Sequence, residues 1–266
     1  MGKVKCYRWS VREKYIDPKA LADVEAIVHL AGAGVAEKRW TTERKKEILE
    51  SRTKSTELIG EILQDKPNQV KVVISATAVG YYGLTTSDEW CNETCGPGND
   101  FLATVCQQWE SSADPIEALD KRLVKIRVGV VLSNKGGALM QMAQPVKWGV
   151  GAPLGTGKQW VSWIHMDDLC QIFLKALEDE NMKGVYNGVA PNPVTNKDLN
   201  KAIATAIHRP LLLPPVPDWA LKIMLGEMSQ IIVTGARVTC DKIKAQGLEF
   251  AFTDVNQAVR NLLSKK

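Results

Sequence analysis

Residues 70–83 read VKVVISATAVGYYG, a β-branched run that ends in hydroxyl side chains and two glycines. Val70–Ala76 carries little polar alternation, so it reads as a strand buried on both faces, as strands of parallel sheets are. Two further runs of this kind flank it, EAIVHLAG at Glu25–Gly32 and RLVKIRVGVVL at Arg122–Leu132. Helical stretches lie between them. Thr41–Leu63 sets Ile48, Leu49, Leu58, Ile59 and Ile62 on one stripe, with Thr41 or Thr42 as the N-cap. Asp100–Leu119 is a second helix, broken at the Asp114-Pro115 step. Strand–helix–strand alternation at these lengths indicates parallel βαβ units and a doubly wound α/β sheet.

The chain of 266 residues is 45% hydrophobic and 24% charged, the balance of an ordinary globular protein of one large domain with or without an appendage. Such a chain buries enough apolar surface to offset its ordering entropy, which excludes disorder as the dominant state. Thirty-four Lys and Arg against thirty Asp and Glu leave a net charge of only +4. The cations are dispersed, so neither nucleic acid nor an anionic membrane is an expected partner. The most apolar stretch, Trp219–Val233, contains Lys222 and Glu227 and is shorter than a bilayer span. No apolar segment of signal-peptide type opens the chain, so a cytoplasmic location is expected, with Cys6, Cys91, Cys95, Cys106, Cys170 and Cys240 as reduced thiols. Cys91 and Cys95 lie in CNETC, but no second cysteine pair or nearby histidine completes a tetrahedral set, and no metal is expected.

After Leu132 the pattern loosens. Lys135–Gly157 reads as a loop-rich crossing, followed by a strand at Trp160–Ile164 and a helix at Asp168–Glu178. A strand at Val185–Val189 comes next, then an amphipathic helix capped by Thr195 or Asn196 that ends before Pro210. The Pro-rich segment Leu211–Asp218 marks a boundary between a unit at 1–210 and a small, mostly helical one at 217–266. APLGTGKQ at Ala152–Gln159 approaches a phosphate-binding loop, but Gln159 replaces the Mg²⁺-ligating hydroxyl and a strand-like segment follows. It reads as a glycine-rich loop. His165, Asp167 and Asp168 offer either a catalytic His–Asp arrangement or, more simply, a helix cap beside a loop-orienting histidine. His29 and His208 read as structural.

The end of the central strand carries the most information. There Ser75, Thr77, Tyr81 and Tyr82 are released at the C-terminal edge of the sheet, where open α/β folds bind ligands. Hydroxyls at that edge orient an alcohol or carbonyl, and a tyrosine there can serve as an acid. Simple turn-building is the alternative.

Six segments in order, VEAIVHLAGAGVAEKRWTTERKKEILESR, ISATAVGYYG, DFLATVCQQWE, RVGVVLSNKGGAL, GTGKQWVSWIHMDDL and YNGVAPNPVTNKDL, resemble the landmarks of the sugar-epimerase-like, atypical branch of the extended short-chain dehydrogenase/reductases. The resemblance runs from about Trp9 to the C-terminus, and the tail after Pro217 is similar to the small C-terminal domain of that branch. It implies a Rossmann-type domain that binds NADP (or NAD), with a site for a carbonyl or sugar-like substrate between that domain and the tail. It implies Leu30, Ala31, Gly32, Ser75 and Arg127 as cofactor contacts. It also implies Thr77 as the substrate-orienting hydroxyl, with Tyr81 or Tyr82 as the acid.

Two departures qualify this expectation. No Gly-rich turn precedes EAIVHLAG, so the sheet is expected to lack its first βα unit and to bind NAD(P)H weakly or not at all. The apolar strand then becomes an edge, expected to pair with another chain in a homo-oligomer or to aggregate. Phe101 and Val105 stand where the family's usual Tyr-x-x-x-Lys pair belongs. Phe shuttles no proton and Val holds no ribose hydroxyl. Oxidoreductase or epimerase activity is one reading, and a non-catalytic scaffold or regulator that keeps the fold is the other.

Overall fold

A computed structural model describes residues 4–264; the outermost residues of the two expected units, 1–3 and 265–266, lie outside it. The chain opens with an antiparallel hairpin, β1 (Trp9–Ser10) and β2 (Tyr15–Ile16), that stands apart from the main sheet. β3 (Ala26–His29), α1 (Thr42–Asp65) and β4 (Val72–Ala78) form the first crossover. Thr41 caps α1, its hydroxyl accepting the Arg44 N–H at 3.2 Å. α1 stops at Lys66, the residue before Pro67, which is excluded from helical backbone. β5 (Trp90–Cys91) precedes α2 (Phe101–Ala113), which Asp100 caps by accepting the N–H groups of Leu102 and Ala103. The expected break at Pro115 appears as a 3₁₀ turn over Asp114–Leu119.

The run Arg122–Leu132 divides into β6 (Arg122–Val128) and β7 (Val130–Leu132). Gly129 is the joint. A Cβ there would lie 2.2 Å from the Ser162 carbonyl oxygen, so only glycine lets the chain leave one sheet and enter the next. Lys135–Gly157 contains a helix, α3 (Gly137–Lys147), where a loop was expected. Leu139, Ala143 and Val146 recur at helical spacing and are buried, and this stripe outweighs the glycines at either end and Pro145 within. The strand at Trp160–Ile164 is also two pieces. β8 (Trp160–Val161) pairs with the later β11, while β9 (Trp163–His165) pairs with β7. Between them Ser162 Oγ donates to the Ala236 carbonyl and accepts the Val238 N–H.

α4 (Met166–Glu178), β10 (Gly184–Gly188), β11 (Val194–Thr195) and α5 (Asn196–Ala206) follow. The cap of α4 is His165, whose Nδ1 accepts the Asp167 N–H at 3.1 Å. Asp168 instead receives the N–H groups of Ala251 and Phe252 at 2.8 and 3.0 Å, tying down the C-terminal segment. That segment comprises α6 (Asp218–Leu225), α7 (Gln230–Val233), β12 (Arg237–Val238), α8 (Asp241–Ala245) and α9 (Val255–Leu263).

The main sheet has the order β10-β6-β4-β3 and is parallel throughout. One face packs Ile74, Val124 and Ile126 on Ile172 and Ala176 of α4. The other packs Val73 and Leu123 on Ile59 and Leu63 of α1. β3 is the edge strand, and Val28 on it is 40% exposed. The C-terminal residues do not stand apart, since Val238 and Ile243 join the cluster of Ile74 and Ile126. Among the described residues, no helix is long and apolar enough to cross a membrane.

Candidate functional site

At the C-terminal edge of the sheet, β4 runs into a tight 3₁₀ turn, Val79–Tyr82, closed by Gly83 at φ 85°. The turn tucks under the N-terminus of α2. A Cβ on Gly98 would fall 2.4 Å from the Gly83 Cα, and the Leu84 N–H donates to the Asp100 carboxylate at 2.7 Å. Glycine at both positions is what allows this approach. The turn thereby fixes Tyr81 and Tyr82 beside the end of β6, from which Arg127 projects.

Arg127 is the centre of a buried polar network. Its Nε and Nη2 donate to Oε1 and Oε2 of Glu110, each at 2.8 Å, and its Nη1 donates to the Tyr82 hydroxyl at 3.1 Å. Glu110 also accepts the Thr77 hydroxyl at 2.9 Å. The Tyr82 hydroxyl donates to Asn187 Oδ1 at 2.7 Å. Asn187 is held in turn by its N–H to Glu93 and its side-chain amide to the Thr239 carbonyl. Burial disfavours the Arg127 charge, but the paired carboxylate and then the phenol outweigh it, so its pKa is raised above the usual arginine range. Burial pushes the Tyr82 phenol up to about 12 despite the opposing hydrogen bonds from Arg127 and Asn187. Tyr82 is thus a strut, a poor proton donor or acceptor near neutral pH.

Tyr81 differs. Its ring lies on the face of the Arg127 guanidinium, 3.4 Å from carbon to ring centroid, and edge-on to Tyr82. The ring is only half-buried, and its hydroxyl makes no hydrogen bond among the described residues. Of the expected catalytic residues, Thr77, Tyr81 and Tyr82 share this cluster, and Tyr81 alone keeps a phenol for a ligand. Thr77 is 3% exposed with its hydroxyl committed to Glu110.

The expected cofactor contacts fall into two groups. Leu30, Ala31 and Gly32 follow the edge strand β3, with Leu30 64% exposed and Gly32 open to solvent. Ser75 is buried within β4, where among the described residues its hydroxyl bonds only to the Ala76 carbonyl, and Arg127 is occupied by Glu110. Neither side chain reaches an open surface.

Phe101 and Val105 do not face Thr77. They share an i, i+4, i+8 stripe with Trp109 that turns to α1, where Lys45 Nζ lies 5.2 Å from the Phe101 ring and the Arg52 guanidinium 5.1 Å from Trp109. The α2 residue that reaches Thr77 is Glu110, which sequence reasoning missed together with Glu93 and Asn187. A lone carboxylate in an apolar helix, four residues after the buried Cys106, was its one signal.

Residues 11–187 match the NAD dependent epimerase/dehydratase family, and residues 216–262 match a domain of unknown function, DUF1731. The chain is 40% identical over 240 residues to a chloroplastic epimerase family protein, the SDR39U1 homolog of Arabidopsis thaliana, spanning 90% of this chain and 68% of that protein. It is 37% identical over 246 residues to the epimerase family protein YfhF of Bacillus subtilis, covering 92% and 80% of the two. The fold is similar to the crystal structure of human epimerase family protein SDR39U1 with NADPH, at TM-score 0.83 and 30% identity over 91% of this chain and 82% of that one. With two thirds of its length inside the family match and its fold shared with that relative, the chain belongs to the NAD dependent epimerase/dehydratase family.

Proposed function

We propose that this chain binds NADP(H) along the C-terminal edge of its sheet and acts as an oxidoreductase or epimerase on a carbonyl or sugar-like substrate. The observation that carries the reading is Tyr81, a half-buried phenol whose hydroxyl has no partner among the described residues, fixed on a buried cation at the strand-end turn. The NADPH in the human relative supports the choice of cofactor. In this chain the open backbone of Leu30, Ala31 and Gly32 fits a flat cofactor, whereas buried Ser75 and Arg127 do not touch one. A nicotinamide bound there would supply the hydride. Tyr81 gives or takes the proton at the substrate oxygen, Arg127 holds the ring by its cation–π contact, and Glu110 with Thr77 holds Arg127. All six cysteines are free thiols, which suits the reducing cytoplasm.

A second reading, a nucleotide-binding scaffold without turnover, is favoured by one observation: α2 turns Phe101 and Trp109 to α1 and offers no phenol–lysine pair. NADPH oxidation measured over a panel of carbonyls and nucleotide sugars separates the two. The enzyme reading expects turnover about 10²–10⁴-fold below relatives with the Tyr-x-x-x-Lys pair, lost in Tyr81→Phe. NADPH binding with no turnover across the panel selects the scaffold.

A further inference from the structure

In the lobe formed by α1, α2 and the sheet, the three buried cations all have carboxylate partners. Arg44 pairs with Glu37 and Glu47, Lys125 with Asp114, and Arg127 with Glu110. Arg52 of α1 has none. Its Nη1 donates to the Ile48 carbonyl one turn back at 2.8 Å, while Nε and Nη2 make no hydrogen bond among the described residues. Burial lowers its pKa, and nearby Arg44 adds to that. Nε and Nη2 stay within reach of solvent and so leave a vacancy that a ligand oxyanion can fill.

The position of Arg52 says where that vacancy opens. Its side chain lies against Gly32, three residues beyond the end of the edge strand β3. A Cβ at Gly32 would come within 3.0 Å of the guanidinium carbon and 3.3 Å of Nε. On the other side the guanidinium lies over the Trp109 ring at 5.1 Å, which restrains its plane. Trp109 is 6% exposed, and its indole N–H has no partner among the described residues. The guanidinium, with two nitrogens free of protein partners, and the buried indole thus lie side by side on neighbouring helices. A planar guanidinium with two free N–H groups matches the oxygens of a phosphate or carboxylate.

We propose that Arg52, with the Trp109 indole N–H beside it, receives an oxyanion of the bound ligand at the end of β3. The anion is a phosphate of the cofactor or an acidic group of the substrate. The inference rests on the proposed function only in taking this edge as the ligand site.

Titration with inorganic pyrophosphate tests it directly, on the whole chain and on Arg52→Gln, Arg52→Lys and Gly32→Ala. The expected result is saturable binding to the parent chain, weakened about tenfold to hundredfold in Arg52→Gln. Arg52→Lys keeps the charge without the fork and should retain part of the affinity. Gly32→Ala crowds the guanidinium without removing charge and should weaken binding even though Arg52 is present. Competition between pyrophosphate and NADPH assigns the anion to the cofactor, and simultaneous binding assigns it to the substrate. Arg52-dependent pyrophosphate binding in a chain that fails to bind NADPH would count against the proposed cofactor and leave this site standing. Pyrophosphate affinity equal in the parent and in a folded Arg52→Gln, or no pyrophosphate binding to the parent, overturns the inference.

Discussion

Arg127 of β6 grips Glu110 of α2 through two parallel hydrogen bonds of 2.8 Å, and both side chains are more than nine-tenths buried. This ion pair joins helix to sheet at the point where β4 ends and the tyrosine turn begins. Its partners Thr77 and Tyr82 extend it across both strands. The pair is costly to break on one side only. Glu110→Gln keeps the shape but strands a buried cation, and should lower stability by about 3–5 kcal/mol. Urea denaturation of the variant beside the parent measures this, and a loss below about 1 kcal/mol would show that solvent reaches the pair.

The two adjacent tyrosines should separate cleanly. Tyr82→Phe removes a hydroxyl buried between Arg127 and Asn187, leaving Arg127 Nη1 and Asn187 Oδ1 without that partner, at a cost of about 1–3 kcal/mol in stability. Tyr81→Phe removes a hydroxyl with no partner among the described residues and should leave the melting temperature nearly unchanged while abolishing turnover. Thermal melts and rates on both variants check the split.

Stability should fall with pH through one buried histidine. His29 lies between the hydroxyls of Ser55 and Thr56, at 2.9 and 3.4 Å, and burial pushes its pKa down to about 4. One donor and one acceptor nitrogen suit the neutral ring. The unfolded chain takes up the proton near pH 6.5, so stability is complete above that pH and declines as pH falls towards 4. His29 alone should account for about 2 kcal/mol between pH 7 and pH 5. Denaturation at those two pH values should show a slope that His29→Gln reduces.

The exposed edge of the sheet predicts self-association. β3 has the apolar sequence of an interior strand, yet among the described residues only β4 pairs with it. The hairpin at Trp9–Ile16 pairs with itself and leaves this edge open. Val28→Lys places a charge on the edge and should shift sedimentation from associated species towards monomer. An unchanged, monomeric profile in the parent would mean the edge is already protected.

The α/β order was legible because β4 and β6 are buried on both faces and, like the edge strand β3, are rich in β-branched residues. The helix at Gly137–Lys147 was not, because its glycines, which take positive φ at Gly136 and Gly137, mask a short buried stripe. At the site, Thr77, Tyr81 and Tyr82 could be read because a strand end concentrates hydroxyls where ligands bind. Glu110, Glu93 and Asn187 could not, since each acts only through partners at least 17 residues away in sequence, with Arg127 the nearest of them. Ser75 and Arg127 illustrate the converse. They sit in the right strands, but both side chains are buried, Arg127 against Glu110 of α2, rather than open to the edge.

The central claim is that the open backbone after β3 is where NADP(H) lies. Calorimetric titration of NADPH into the parent chain and into Leu30→Asp tests it most directly, because Leu30 is exposed and its replacement leaves the core intact. The expected result is saturable binding to the parent, with a dissociation constant of about a micromolar. At least about a tenfold loss is expected when an aspartate is placed beside the cofactor's phosphates. No saturable binding to the parent, or equal affinity in the two proteins, would contradict it.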